Sequence, residues 1–423
     1  AGTLTPLLAL SVLACGPTAP PPPKAMEVSP QRPIMRPGDT LHLTATIRGH
    51  GVDSVNAIHW TSLNGGVATV NDFGTVRAVG VGVALIVATL DTQADTATVV
   101  VEPPTLRSLA IARHFVMGSA VSTNALATDP QYREQLAAQY NGVTSESAMK
   151  FGSIHPGPTI YSFTEADRLV GFAQSNGMTI HGHTLVWDEA LPRWITQGTF
   201  TKAQLLKVLK DHITTVVGRY RGKVASWDVV NEVADDAVPL RNTLWLQVIG
   251  PEYIDSAFVW AHQADPAGKL YLNETHAEGL NARSNNVLTL VQGLRARGIP
   301  IDGVGFQAHF TINPPPPTAA DLRANLARFA NAGFDVRVSE MDVRVPDTAA
   351  STAIEQEATT YRDMLDACLQ LGSRCSGFTS WGFTDRYSWI PEYYPGYGRG
   401  LPFDANYQPK PADDALAGRL QQP

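Results

Sequence analysis

Val336-Arg337-Val338-Ser339-Glu340-Met341-Asp342-Val343 is a β-branched run that turns polar towards its carboxyl end, and Trp227-Asp228-Val229-Val230-Asn231-Glu232 is built the same way. Apolar runs of this kind read as strands of a parallel sheet covered on both faces, with chemistry gathered where the strands finish. The two strands are placed at 336–341 and 224–230. Six more strand candidates lie around them, at 115–121, 142–145, 179–186, 270–273, 303–309 and 377–381. Amphipathic stretches at 132–140, 203–220, 286–297 and 320–332 supply helices between them. Strands alternating with helices define the α/β class and a parallel sheet, and eight strands predict a closed (β/α)8 TIM barrel over 105–423.

Residues 24–104 have a different texture. Alternating runs such as Thr40-Leu41-His42-Leu43-Thr44-Ala45-Thr46 and Ala97-Thr98-Val99-Val100-Val101 are separated by turn residues, as in a small all-β sandwich. Pro37-Gly38-Asp39-Thr40, Trp60-Thr61-Ser62, Val67-Ala68-Thr69-Val70 and Gly74-Thr75-Val76 resemble a bacterial immunoglobulin-like domain. Ahead of it, eight prolines between Gly16 and Pro37 predict an extended linker that overlaps the start of this domain. Residues 1–15 read as a truncated lipoprotein signal peptide. The apolar run from Leu4 to Ala14 is too short to span a bilayer, and Val12-Leu13-Ala14-Cys15-Gly16 resembles a lipobox whose cysteine is lipidated. Export and a lipid anchor at Cys15, on the cell surface or the periplasmic face of a membrane, are expected. Cys368 and Cys375 are close in sequence, and export would leave them oxidised as a disulfide.

The 423 residues are 44% hydrophobic and 17% charged, with 32 basic and 39 acidic side chains and a net charge of −7. That composition excludes a disordered chain and supports a large core. No cluster of Lys and Arg is available to hold phosphates, so nucleic acid is excluded as the main partner and a neutral substrate fits better. A monomer is expected.

Glu232 and Glu340 close two strands that face one cavity, and a carboxylate in an otherwise apolar strand is costly unless paired or used. Beside them stand further matches: His181-Gly182-His183-Thr184-Leu185-Val186-Trp187, Gly305-Phe306-Gln307-Ala308-His309, Ser339-Glu340-Met341-Asp342 and the run from Trp381 to Trp389. Together they resemble the family 10 glycoside hydrolases, mostly endo-β-1,4-xylanases, over the whole of 105–420. The resemblance implies a retaining endo-acting hydrolase of xylan without cofactor or metal. Glu232 would be the acid/base, Glu340 the nucleophile, and His309 with Asp342 the pair that orients the nucleophile and keeps it charged. Glu146, Lys150, His183, Trp187, Asn231, Gln307, Trp381 and Trp389 would bind sugar. Retention calls for carboxyls ~5–5.5 Å apart. Two other readings are a metal-dependent barrel hydrolase using His181 and His183, and a non-catalytic glycan-binding lipoprotein. The intact acidic pair opposes the second.

The chain departs from the family pattern in its subsites. Ser147 replaces an amide that helps fix the second sugar on the non-reducing side, Phe151 replaces a tryptophan, Asp188 replaces a histidine, and Thr275 replaces an aromatic ring. These edits leave room for another or a decorated β-glycan as substrate.

Overall fold

The computed structural model describes residues 26–47 and 58–422. Cys15, the lipobox and the first part of the proline-rich linker lie outside the described residues. Two compact units divide between Pro104 and Thr105. Among the described residues no helix is long and apolar enough to cross a membrane.

The N-terminal unit is all β. One sheet runs Ile34–Met35, Gln93–Val101, Gly82–Leu90, His59–Ser62, and a second runs Thr40–His42, Thr75–Ala78, Ala68–Val70. Alternation places Ala84, Ile86 and Ala88 of one strand, with Ala97, Val99 and Val101 of its partner, in the core. The stretch read as one strand over 40–46 is two, Thr40–His42 and Thr44–Ile47, which join different sheets on either side of buried Leu43. Met26–Ser29 pairs with Thr44–Ile47, so strand structure begins inside the stretch where the proline-rich segment and the all-β domain overlap.

The second unit is a closed parallel barrel. Its strands are β1 (Met117–Val121), β2 (Gly142–Ser145), β3 (Thr179–Gly182), β4 (Ser226–Asn231), β5 (Lys269–Glu274), β6 (Gly303–Phe306), β7 (Asp335–Pro346) and β8 (Cys375–Ser380). Each pairs with the next, and β8 returns to β1 through Met117↔Phe378. The helices bury one stripe against this ring. In Lys202–Arg219, Leu205, Leu209, Ile213, Val216 and Val217 recur every three or four residues, and a Thr201/Gln204 capping box starts the helix.

Three strand ends differ from expectation by more than two residues: β7 runs on to Pro346 instead of stopping at Met341, and two others stop early. The third strand stops at Gly182, because Thr184 Oγ1 and Leu185 N both turn to donate to the Asp228 carbonyl at 2.9 and 3.0 Å. The sixth breaks after Phe306. Ala308 sits at φ 62°, and the chain resumes as a separate strand, His309–Thr311, pairing farther out on β7.

Cys368, at the end of helix Ser351–Leu369, is disulfide-bonded to Cys375 at the start of β8, with Cα atoms 5.3 Å apart. Closing so short a loop is worth about 2–3 kcal/mol through the unfolded state. A Cys368→Ala/Cys375→Ala double variant is therefore expected to lose about that much in a denaturant titration while kcat stays unchanged. Two free thiols found by mass spectrometry without reductant would contradict the bond.

Candidate active site

Strict alternation would send Asp228 and Asn231, three residues apart, to opposite faces of β4. A register shift between Asp228 and Val230 lets both enter the barrel mouth. Strand β7 does the same between Val338 and Met341, so that consecutive residues Ser339 and Glu340 both reach Asn273. Beyond that shift the alternation resumes, with Asp342 and Arg344 following Glu340 on one face.

Glu340 is buried and held from several sides. Asn273 Nδ2 donates to Oε1 at 2.6 Å, His309 Nε2 lies 3.2 Å from Oε2, and His183 Nδ1 lies 3.7 Å from Oε1. Burial pushes its carboxyl up, but the His183 and His309 rings more than offset this and leave it below the usual carboxylate range. His309 has the opposite problem. Burial alone would neutralise it, yet Asp342 at 3.0 Å and Glu340 raise it to about 10, so it is an imidazolium. Trp389 Nε1 donates to Asp342 Oδ2 at 2.7 Å and fixes the far end of this chain of charges.

Glu232 stands at φ 54°, a conformation costly for a non-glycine residue, held by its N–H bond to the Asn273 carbonyl at 2.9 Å. Gln307 Nε2 donates to its Oε1 at 3.0 Å, and Arg241 donates to its Oε2 at 2.9 Å. Arg241 also donates to Glu189 at 2.8 Å. The two glutamates are thus joined by amides: Gln307 and Asn273 both donate to Asn231 Oδ1, at 3.3 and 2.8 Å. Asn231 Nδ2 is buried with no partner among the described residues, a donor free for a ligand hydroxyl. Gly305 makes room for Asn273, since a Cβ there would sit 2.3 Å from the Asn273 Oδ1. Next to Glu232, Glu274 accepts from Ala234 N at 2.8 Å and is pushed up to about 8, by burial first and by Glu232 in part, so it is neutral at pH 7.

Around the carboxylates, Lys150 Nζ lies 4.8 Å from the Trp187 ring centroid and 5.8 Å from that of Trp381, which packs edge-on against His183. Burial lowers the lysine, and Glu340, Glu146 and Glu232 act against that. Every residue singled out from the barrel sequence as catalytic or sugar-binding is therefore part of this one constellation. Four that were not singled out also belong to it: Arg241, Glu189, Asn273 and Asp228. Asp228 takes the His183 Nδ1 at 2.9 Å and the His181 Nε2 at 3.0 Å, while the His181 Nδ1 meets Ser226 Oγ at 2.6 Å. Both nitrogens of His181 are engaged inside the barrel, which removes the paired-imidazole arrangement that a metal site there would use.

The edited positions divide in two. Phe151 is core and no subsite residue: it is buried and stacked on His212 with centroids 3.8 Å apart. Asp188 is structural as well, accepting the Leu244 N–H at 2.9 Å where helix Leu244–Val248 begins. Ser147 is exposed and Thr275 half-buried on the rim, where a substrate would meet them.

A closed parallel barrel with two glutamates at the ends of β4 and β7, one of them held charged by a histidine–aspartate pair, defines a two-carboxylate glycoside hydrolase. The chain belongs to glycosyl hydrolase family 10, whose model matches residues 106–418, and a bacterial Ig-like domain (group 2) matches 23–101. Endo-1,4-beta-xylanase B of Thermotoga neapolitana is 39% identical over 323 residues, covering 75% of this chain and 92% of that protein. Among solved structures, xylanase 10B of Thermotoga petrophila RKU-1 in complex with xylobiose is 40% identical with a TM-score of 0.73, covering 75% of this chain and 97% of that one. Native xylanase 10B of Thermotoga maritima is 41% identical with a TM-score of 0.72, over 75% and 98%.

Proposed function

We propose that this chain is a retaining endo-β-1,4-xylanase in which Glu340 is the nucleophile and Glu232 the acid/base. The observation that carries the reading is the unequal support of the two carboxylates. Glu340 is tied to an imidazolium and kept ionised, while Glu232 lies on the opposite strand end within reach of a donor amide and an arginine. In the first step Glu340 attacks the anomeric carbon, the glycosidic bond breaks, and the proton of Glu232 passes to the departing oxygen. Arg241 and Gln307, which already donate to Glu232, stabilise the carboxylate left behind. In the second step Glu232 removes a proton from water, whose oxygen displaces Glu340 from the ester and restores both groups. The free Asn231 Nδ2 is placed to donate to the 2-hydroxyl of the reacting sugar. His183, Lys150, Trp187, Trp381 and Trp389 hold the same sugar region, and Glu146 the next unit.

Product analysis on xylan, arabinoxylan, mixed-linkage glucan and aryl glycosides tests this. Xylo-oligosaccharides of mixed length, released first as the β-anomer, are expected from xylan. First release of the α-anomer, or cleavage of another glycan while xylan is untouched, would overturn it. Export with a lipid on Cys15 is part of the proposal and rests on the sequence around Val12-Leu13-Ala14-Cys15-Gly16.

Ser147 allows a finer check. Serine is shorter than the amide the family carries, and one lost hydrogen bond is worth about 0.5–1.5 kcal/mol, or roughly 2- to 12-fold in kcat/KM. Ser147→Asn is expected to raise kcat/KM on xylo-oligosaccharides by about that factor and to leave aryl xylosides unchanged. A fall on the oligosaccharides would mean that Ser147 is fitted to a decorated sugar.

A further inference from the structure

Three arginines, Arg241, Arg283 and Arg344, lie at or near the mouth of the barrel, and two of them are paired. Arg241 holds Glu232 and Glu189, and Arg283 holds Asp236 at 3.2 Å. Arg344 is different. Among the described residues no carboxylate pairs with its guanidinium and no acceptor takes a hydrogen bond from it, although the side chain is half-buried. It is nevertheless held in place, stacked 4.0 Å from the Tyr394 ring centroid.

Its position follows from the strand. Glu340, Asp342 and Arg344 share one face of β7, so four residues at ~3.3 Å each put Arg344 roughly 13 Å from the nucleophile. An aromatic wall bridges that distance. Trp389 packs 5.0 Å from His309, Tyr394 is 5.7 Å from Trp389, and Tyr393, 66% exposed, is 5.3 Å from Trp389. The wall continues the site; it does not close it.

The side of the cut can also be assigned. Glu146 and Lys150, read as the non-reducing sugar contacts, follow β2. Arg344 pairs with Thr311, which follows β6, and its charge is felt by His276, which follows β5. A glycan laid from the β2 rim past Glu340 and Glu232 reaches Arg344 on the leaving-group side. There Arg344 is the cation left without a carboxylate: of the other cations that act on His276, Arg283 is matched by Asp236 and His309 by Asp342 and Glu340. A neutral pyranose can accept single N–H bonds on its hydroxyls but leaves the guanidinium charge unmatched. A carboxylate matches it, because it accepts two parallel N–H bonds from the guanidinium plane.

We infer that Arg344, braced on Tyr394, binds a carboxylate-bearing sugar unit on the leaving-group side, so that the enzyme favours a β-glycan carrying uronic-acid groups. This deepens the xylanase reading and rests on it. The test compares a xylan bearing uronic-acid side groups with the same polymer after chemical reduction of its carboxyls. Wild-type enzyme is expected to show a higher kcat/KM on the acidic polymer, with the preference fading in about 0.5 M salt. Arg344→Gln should reduce the ratio of the two about 10-fold, and Arg344→Lys should keep part of it. An aryl xylobioside, which puts no sugar on the leaving-group side, reports that each variant is folded. A wild-type ratio of one, or a ratio untouched in Arg344→Gln, overturns the inference. Failure to cut either polymer or linear xylo-oligosaccharides would instead count against the xylanase reading itself.

Discussion

Glu340→Ala is expected to abolish turnover of every glycoside, by about 10⁴-fold or more, because the next carboxylate on that face of β7, Asp342, is tied to His309 and Trp389 and does not take its place. Glu232→Ala should behave differently. Polymer hydrolysis is expected to fall about 10²–10⁴-fold, the usual worth of a general acid. Aryl glycosides with good leaving groups need no proton to depart, so their first step should survive and the ester accumulate. Added azide, which needs no general base, should then restore turnover and give a β-glycosyl azide. Steady-state rates with product stereochemistry check both, and an α-glycosyl azide would reverse the assignment.

The second large effect concerns His309. Its imidazolium is one of the two groups that hold Glu340 below the usual carboxylate range, so removing the charge lets burial dominate. His309→Gln should move the acid limb of the kcat/KM profile up by about one to three pH units. The same ions set how stability depends on pH. His309 is raised from 6.5 to about 10, so its contribution is complete below 6.5 and is lost as pH rises through 10. Glu340 is depressed, so its contribution is present above about 4.5 and is lost as pH falls through its lowered value. Both hold between 4.5 and 6.5. A pH–rate profile of the variant whose acid limb stays in place would sink this account.

The eight strands and the two glutamates were legible because β-branched runs that end in polar residues carry their meaning locally. What escaped the sequence depends on geometry between distant segments. Asp228 and Asn231 lie on one strand in full view, but only the register shift beside Val229 sends both inward. Arg241 and Glu189 sit in connections with no periodicity, and nothing nearby says that they will meet at Glu232. Asn273 stands at the end of its strand, but nothing local says that its amide bridges Asn231 and Glu340. Phe151 misled for the opposite reason: a substitution in a binding motif suggested a changed subsite, whereas the ring faces the core against His212.

The barrel unit also meets itself end to end. Helix Leu106–Ala112, which opens it, is followed by Arg113, which donates to the Leu420 carbonyl at 3.2 Å and to that of Gln422 beyond helix Pro411–Gln421. With its first and last helices packed together, the ring has no privileged starting point. The order of the eight βα units along the chain is then separable from the placement of Glu232 and Glu340. A circularly permuted barrel, with Gln422 joined to Thr105 by a short flexible linker that runs the length of the first helix and new ends cut at exposed Gly298, would carry the same catalytic pair.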